Sequence, residues 1–161
     1  MSTTPLLQND LDALAEFDTP TICNALEKLD AQTQANGFTT EPFLCGFPAQ
    51  KPIVGYARTA TIRATMASGL PAAEQKARRL AYYDYVGTGI GPRISVIQDI
   101  DGPDAGYGAF WGEVNSAVHR ALGCLGVVTD GSIRDIPQWA PDFQALAAAL
   151  TVSSRIMPSR R

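Results

Sequence analysis

Residues 126–136, Gly-Val-Val-Thr-Asp-Gly-Ser-Ile-Arg-Asp-Ile, pass from apolar β-formers straight into charge. Arg134 presents a planar fork of donors that matches a carboxylate. Asp135 beside it is a hard oxygen donor of the kind Mg²⁺ or Mn²⁺ takes. Open α/β sheets bind ligands beyond the carboxyl ends of their strands, and a turn after Thr129 would lie there. Gly131 allows that turn to be tight or φ-positive. Ser132 is placed to cap a short helical turn from Ile133 to Trp139, whose first N–H groups would face an anion. A cation on one side and a guanidinium on the other could hold a 2-oxo acid. The same residues also suit a surface turn in which Arg134 and Asp135 merely pair.

A second constellation stands upstream, Trp111-Gly112-Glu113-Val114-Asn115 at the start of a helix. The helix dipole alone favours a carboxylate at Glu113. The free N–H groups of Val114 and Asn115 can equally receive a substrate carboxylate. If this helix start lies beside the end of the charged strand, Glu113 and Asp135 form a carboxylate pair around a cation.

Other motifs carry less. Asp99-Ile100-Asp101-Gly102-Pro103-Asp104 starts like a calcium loop, but Phe110 stands where the twelfth-position Glu is required, so a polar turn is expected. Gly87-x-Gly89-x-Gly91 follows a helix instead of opening one, which fails the dinucleotide fingerprint. His119 is the only histidine. It falls mid-helix with no serine elbow or cysteine partner, and is expected on a helix surface or interface.

The elements that must position these residues alternate. Helical spacing covers Leu6–Phe17, with Leu7, Leu11, Leu14 and Ala15 on one face, and then a second helix to about Leu29, capped by Asp18 or Thr19 with Pro20 in its first turn. Residues 30–52 read as connection. Ile53–Met66 reads as strand. Ala72–Val86 reads as a helix with Leu80, Tyr83, Ala73 and Ala77 inward, and Arg93–Gln98 as strand. Phe110–Leu122 reads as a helix ended by Gly123, and Leu125–Thr129 as strand. Phe143–Leu150 fits strand or helix. Alternation of this kind predicts an α/β layered domain.

The 161 residues suit a single domain spanning 1–161. A net charge of -3 argues against a nucleic-acid binder. The one internal basic cluster, Lys76, Arg78 and Arg79, reads as the solvated side of a helix. No apolar run is long enough to span a membrane, and the first residues lack a basic-then-apolar leader. The three cysteines, Cys23, Cys45 and Cys124, are too scattered for a disulfide framework or a Cys-x-x-Cys zinc site, so reduced thiols in a cytoplasmic protein are expected.

Gly123-x-x-Gly126-Val127-Val128-x-Asp130-Gly131-x-x-Arg134-Asp135, preceded by Gly112-Glu113-Val114, resembles the RraA-like family of 4-hydroxy-4-methyl-2-oxoglutarate aldolases, which carry oxaloacetate decarboxylase activity as a companion. Phe17-Asp18-Thr19-Pro20-Thr21-Ile22-Cys23-Asn24-Ala25-Leu26 is similar to the family's N-terminal segment, and the resemblance covers roughly residues 10–153. It implies an α-β-β-α sandwich forming a homotrimer or a dimer of trimers, with active sites between subunits. Asp135 would ligate Mg²⁺ or Mn²⁺ directly and Glu113 would hold its water. Arg134 would contact the keto-acid end of the substrate and a catalytic water. The backbone at Gly112, Val114 and Asn115 would bind the pyruvyl carboxylate, although Asn115 replaces the apolar residue usual in the family.

The implied function is that of a class II pyruvate lyase acting on small α-keto acids, with no nucleic-acid or membrane partner. Family members continue past position 161 with further strands and a carboxylate that reaches a neighbouring metal site, and the tail 154–161 does not match them. The expectation is therefore of a chain truncated or frame-shifted after about Ser153. The alternative is a non-catalytic regulator that binds RNase E, as some members do, or an inactive shortened member. A methyltransferase, an old label for the family, would need a Gly-rich nucleotide loop after a first strand, and the sequence has none.

Overall fold

The computed structural model describes residues 5–30, 39–65 and 67–151. The tail 154–161, Met66 and the middle of the 30–52 connection lie outside the described residues. Helices α1 (Gln8–Leu14) and α2 (Thr19–Leu29) lead to β1 (Leu44–Cys45) and β2 (Tyr56–Ile62). There follow α3 (Ala72–Gly87), β3 (Arg93–Asp99), α4 (Glu113–Ala121), β4 (Cys124–Ile133) and β5 (Gln144–Leu150). The strands form one sheet in the order β1-β5-β4-β3-β2. β2, β3, β4 and β5 are parallel, and β1 runs antiparallel to β5. The class is α/β, as the alternation of elements predicts. Parallel neighbours require crossovers: α3 joins β2 to β3 and α4 joins β3 to β4, the two helices packing against each other, while β4 reaches β5 through a connection holding only the 3₁₀ turn Ile136–Gln138.

Local chemistry explains most of the boundaries. Asp18 is the cap of α2, its carboxylate accepting from the Thr21 N–H at 2.9 Å, with Pro20 where a missing N–H costs nothing. Hydrogen bonding from the Thr21 side chain and then from its N–H holds the Asp18 carboxyl below its ordinary range. Gly123 ends α4 at φ 82°, a conformation that glycine takes without strain. The strand at 53–66 is shorter than predicted because pairing with β3 begins at Tyr56 and ends at Ile62. Beyond it the N–H groups of Ala64 and Thr65 turn to the Asp101 carboxylate at 2.7 and 2.8 Å.

Four expectations need correction. α1 is shorter than 6–17 and buries only Leu11, while Leu7 precedes the helix and is exposed. α3 faces inward through Tyr82, Tyr83 and Val86, not Leu80, which is half exposed. α4 starts at Glu113, because Trp111 bridges Ile133 in a parallel pair and Gly112 is extended. His119 is not on a surface: it is fully buried. The ambiguous segment 143–150 is strand β5, whose Ala145 and Ala147 are buried between its neighbours β1 and β4.

The core joins Val86, Ile97, Cys124, Val127 and Ile133 to the aromatic group Trp111, Trp139 and Phe143. Trp111 and Phe143 are stacked with centroids 6.0 Å apart, and the Trp139 indole N–H donates to the Phe143 carbonyl at 2.8 Å. An aromatic side chain buried this fully removes roughly 150–250 Å² from water, about 4–6 kcal/mol of transfer free energy. Trp111 matters for the site because the residues that follow it open α4.

Candidate active site

β4 does not turn after Thr129. Its register shifts between Thr129 and Ser132, and the strand continues to Ile133. Gly131, Ser132 and Ile133 are buried in it, so Gly131 makes no φ-positive turn and Ser132 caps no helix. The Ser132 hydroxyl is buried without a hydrogen-bond partner. The helical turn expected over 133–139 reduces to a single 3₁₀ turn, Ile136–Gln138. Asp135 precedes it in the left-handed region at φ 58°, with no side-chain cap bond. A non-glycine residue there is uncommon and costs of order 1 kcal/mol. The Asp135 carboxylate is thus aimed by its backbone and not by a capping role.

Trp111 carries the chain of α4 onto the end of β4. The Arg134 N–H donates to the Trp111 carbonyl at 2.9 Å, which places Gly112 directly against the charged pair. A Cβ on Gly112 would stand 2.6 Å from Asp135 Oδ2 and 3.1 Å from Arg134 Cγ. A methyl on that face would have to push the Asp135 carboxylate aside. Arg134 Nη1 lies 3.0 Å from Asp135 Oδ2, with the two side chains 32% and 31% exposed, and Arg134 Nε reaches the Ala109 carbonyl at 3.4 Å. The pair is therefore part of a rim and open to a ligand.

The first helical hydrogen bond of α4 runs from the Ser116 N–H to the Gly112 carbonyl at 2.9 Å. The N–H groups of Glu113, Val114 and Asn115 consequently have no helical acceptor. Glu113 and Val114 are exposed, while the Asn115 amide donates to the Phe110 carbonyl at 2.6 Å and braces the first turn. The helix start, the guanidinium of Arg134 and the carboxylate of Asp135 thus meet at one rim of the sheet. Among the described residues no three His, Cys, Asp or Glu side chains group as metal ligands.

Two features beside the rim are not evident from spacing. A cleft of about 530 Å³ opens between α3 and the start of α4, walled by Leu70, Tyr83, Ile97, Phe110 and Val114, with Arg78 and Arg79 also lining it. These arginines are exposed, as the helix-face reading predicts, yet they border a cavity. Beneath it the Tyr82 hydroxyl and His119 Nε2 are 2.7 Å apart, and His119 Nδ1 is 2.7 Å from the Asn115 carbonyl. A carbonyl only accepts, so Nδ1 carries the proton and Tyr82 donates to Nε2. Burial holds the imidazole below its ordinary pKa and raises the Tyr82 phenol to about 12, so both stay neutral.

The aspartates at 99–104 form a polar turn. Asp99 accepts from the N–H groups of Asp101 and Gly106 at 3.0 and 2.8 Å. Burial acts to raise Asp101, but the hydrogen bonds from Thr65 and Ala64 and the nearby Arg63 outweigh it and hold the carboxyl below its ordinary range. All three cysteines are free, with Cys124 buried.

A family profile described as RraA-like (Aldolase/RraA) matches residues 19–157. A search of curated proteins finds no match. Among solved structures, an uncharacterized protein from Pseudomonas syringae pv. tomato str. DC3000 superposes with a TM-score of 0.65 at 21% identity, over 96% of this chain and 62% of its own. A structure described as S-adenosylmethionine: 2-dimethylmenaquinone methyltransferase from Geobacillus kaustophilus HTA426 gives 0.57 at 16% identity, over 86% and 73%. Streptomyces coelicolor RraAS2, described as an unusual member of the RNase ES inhibitor RraA protein family, gives 0.55 at 18% identity, over 92% and 66%. At these identities the structures speak to the fold alone, and the chain spans less than two thirds of the Pseudomonas structure. No described helix is long and apolar enough to cross a membrane. With most of its length matched by the family profile and its sheet matched by these folds, the chain belongs to the RraA-like family, which includes aldolases and decarboxylases as well as non-catalytic RNase E inhibitors.

Proposed function

We propose that this chain is a divalent-metal-dependent lyase that releases pyruvate from substrates of the 4-hydroxy-4-methyl-2-oxoglutarate type and from oxaloacetate. The observation that supports this most is the bare Gly112 face, packed tightly against Asp135 and Arg134. It brings helix N–H donors, a guanidinium and a carboxylate within one small rim, a set that a protein-binding surface does not need.

The N–H groups of Val114 and Asn115 would receive the substrate's C1 carboxylate, favoured by the helix dipole. Arg134 would donate to the 2-oxo oxygen and hold the water that takes the C4 hydroxyl proton. As that proton leaves, C4–O becomes a carbonyl and the C3–C4 electron pair stays on C3, which is then protonated to the methyl of pyruvate. From oxaloacetate the same bond parts with loss of CO₂. No lysine stands at the rim to form a Schiff base, and this route needs none.

Asp135 fits a Mg²⁺ or Mn²⁺ ion: it is one hard carboxylate, partly open to water, and Mg²⁺ is commonly held by one or two carboxylates while keeping several waters. Glu113 would contact the ion's waters. Once bound, the ion supplies Lewis acidity at the substrate's oxygens. Assembly as a homotrimer or a dimer of trimers, with a neighbour completing the site, belongs to the same proposal, as does a cytoplasmic setting.

Purified protein with Mg²⁺ or Mn²⁺ is expected to release pyruvate from either substrate, measured by coupled reduction to lactate. Asp135→Ala is expected to abolish both pyruvate release and Mn²⁺ binding. Activity that survives a chelator would overturn the metal-dependent reading. The likeness to RraAS2 favours a second reading, a regulator of RNase E, and lack of turnover together with RNase E binding would establish that instead.

A further inference from the structure

We infer that the cleft between α3 and the start of α4 is the subsite for the substrate's C4 substituent, and that it selects an aryl-sized apolar group ending in an anion. The inference rests on the proposed pyruvyl anchor at the α4 start and deepens it by naming the substrate class.

Position comes first. Val114 and Asn115 line this cleft, and their N–H groups are those left without helical acceptors. A substrate held there by its C1 carboxylate lies at the mouth of about 530 Å³ of space, within the range of small-ligand sites, into which its C4 substituent can fold. Oxaloacetate or a methyl-bearing substrate would leave much of that volume to water.

The walls define the chemistry. Leu70, Ile97, Phe110 and Tyr83 are apolar or aromatic, which suits a flat ring. The floor does not take an anion: the Tyr82 proton is committed to His119, so its oxygen can only accept. The charge sits at the edge. Arg78 is neutralised by Glu74 through Nε and Nη2 at 3.2 and 2.8 Å. Arg79 has no acidic partner among the described residues, yet it follows the spacing of the inward face, three and four positions before Tyr82 and Tyr83. An exposed guanidinium without an acidic partner among the described residues, at the edge of an apolar slot, complements a ligand that is apolar along its length and anionic at its tip.

The discriminating substrate is 4-(4-carboxyphenyl)-4-hydroxy-2-oxobutanoate, which on C3–C4 cleavage gives 4-carboxybenzaldehyde and pyruvate. Its phenyl analogue without the ring carboxylate and oxaloacetate are the comparators, all with Mg²⁺. The carboxyphenyl compound is expected to show the highest kcat/KM. Arg79→Ala is expected to lower that value about tenfold, through KM, while leaving the phenyl compound and oxaloacetate within about twofold. Leu70→Trp, which fills the slot, is expected to depress both aryl substrates and spare oxaloacetate. Arg78→Ala, already paired, should change each by less than about twofold.

Calorimetry with uncleavable 4-(4-carboxyphenyl)-2-oxobutanoate against pyruvate separates the two layers of argument. Oxaloacetate turnover without any aryl advantage, or an advantage that survives both Arg79→Ala and Leu70→Trp, overturns the subsite and leaves the reaction standing. No turnover of any substrate, with tighter binding of the aryl acid that both variants abolish, overturns the reaction and leaves the subsite standing. No turnover and no preferential binding overturns both.

Discussion

Helix α4 meets an arginine at each of its ends, and the two arginines are used in opposite ways. At the C-terminal end Arg93 donates to the Leu122 carbonyl at 2.7 Å and to the Gly89 carbonyl at 2.9 Å. Arg58 similarly reaches the Thr88 carbonyl just after α3 and lies over the Tyr85 ring. Cations there face the negative ends of helix dipoles and satisfy carbonyls that the helix leaves over. At the N-terminal end Arg134 has one long contact to a carbonyl and a neighbouring Asp135. Here the dipole is positive and adds to the guanidinium. The first pair closes the helix ends. Arg134 shares its charge with Asp135, and the donors left over at this end are the N–H groups of the helix start.

Arg134→Ala separates these roles most sharply. It is expected to lower kcat/KM for oxaloacetate by about 10²–10³-fold, the usual effect of removing a donor aimed at developing negative charge. The melting temperature should hardly move, because the lost donors hold little of the fold. A large fall in melting temperature with activity retained would make Arg134 another structural cap. Gly112→Ala comes next. Gly112 has φ −163°, extended backbone that alanine adopts freely, so the added methyl acts only through space, on Asp135 and Arg134. Displacing them by about an ångström is expected to cost up to 10²-fold in kcat, with secondary structure by circular dichroism unchanged.

The amino-acid pattern carried the rim better than it carried the elements around it. Arg134, Asp135 and Gly112 come together because the Trp111–Ile133 bridge sets the helix start beside the strand end; the sequence pointed to that neighbourhood through Glu113 and Asp135, not through Gly112. The strand's extension to Ile133 was hidden, since Asp130-Gly131-Ser132 looks like a turn. Burial of Gly131 and Ser132 beside a register shift overrides that local preference. The inward face of α3 was misread for a related reason. Leu80 is more apolar than Tyr82, but tyrosine at 82 finds the hydroxyl partner His119 that lets it be half buried. His119 itself gave no signal, because its partners lie on another helix and on a carbonyl one turn away.

Arg93→Ala tests the other end of α4. Each hydrogen bond from a charged donor to a carbonyl contributes about 1.5–3 kcal/mol, and two carbonyls lose their partner. An unfolding free energy lower by roughly 2–4 kcal/mol is expected from urea titration, with kcat of the folded fraction unchanged. Loss of activity at full stability would erase the contrast between the two arginines.

The smallest effect concerns His119, in the last turn of α4. Burial lowers its pKa below 6.5 in the folded protein, whereas the unfolded chain takes a proton at the ordinary value. The unfolded state therefore binds more protons as pH falls through 6.5 and below, so stability is complete above that point and declines beneath it. The slope is limited to one proton, about 1.4 kcal/mol per pH unit. Urea midpoints between roughly pH 7.5 and 5.5 should show this decline in the wild type, above the range where carboxylates titrate. His119→Gln, whose amide can keep one of the two hydrogen bonds, should lower stability overall but flatten the decline. If the slope persists in that variant, the imidazole is not the group that titrates, and the neutral link from Tyr82 to the first turn of α4 loses its support.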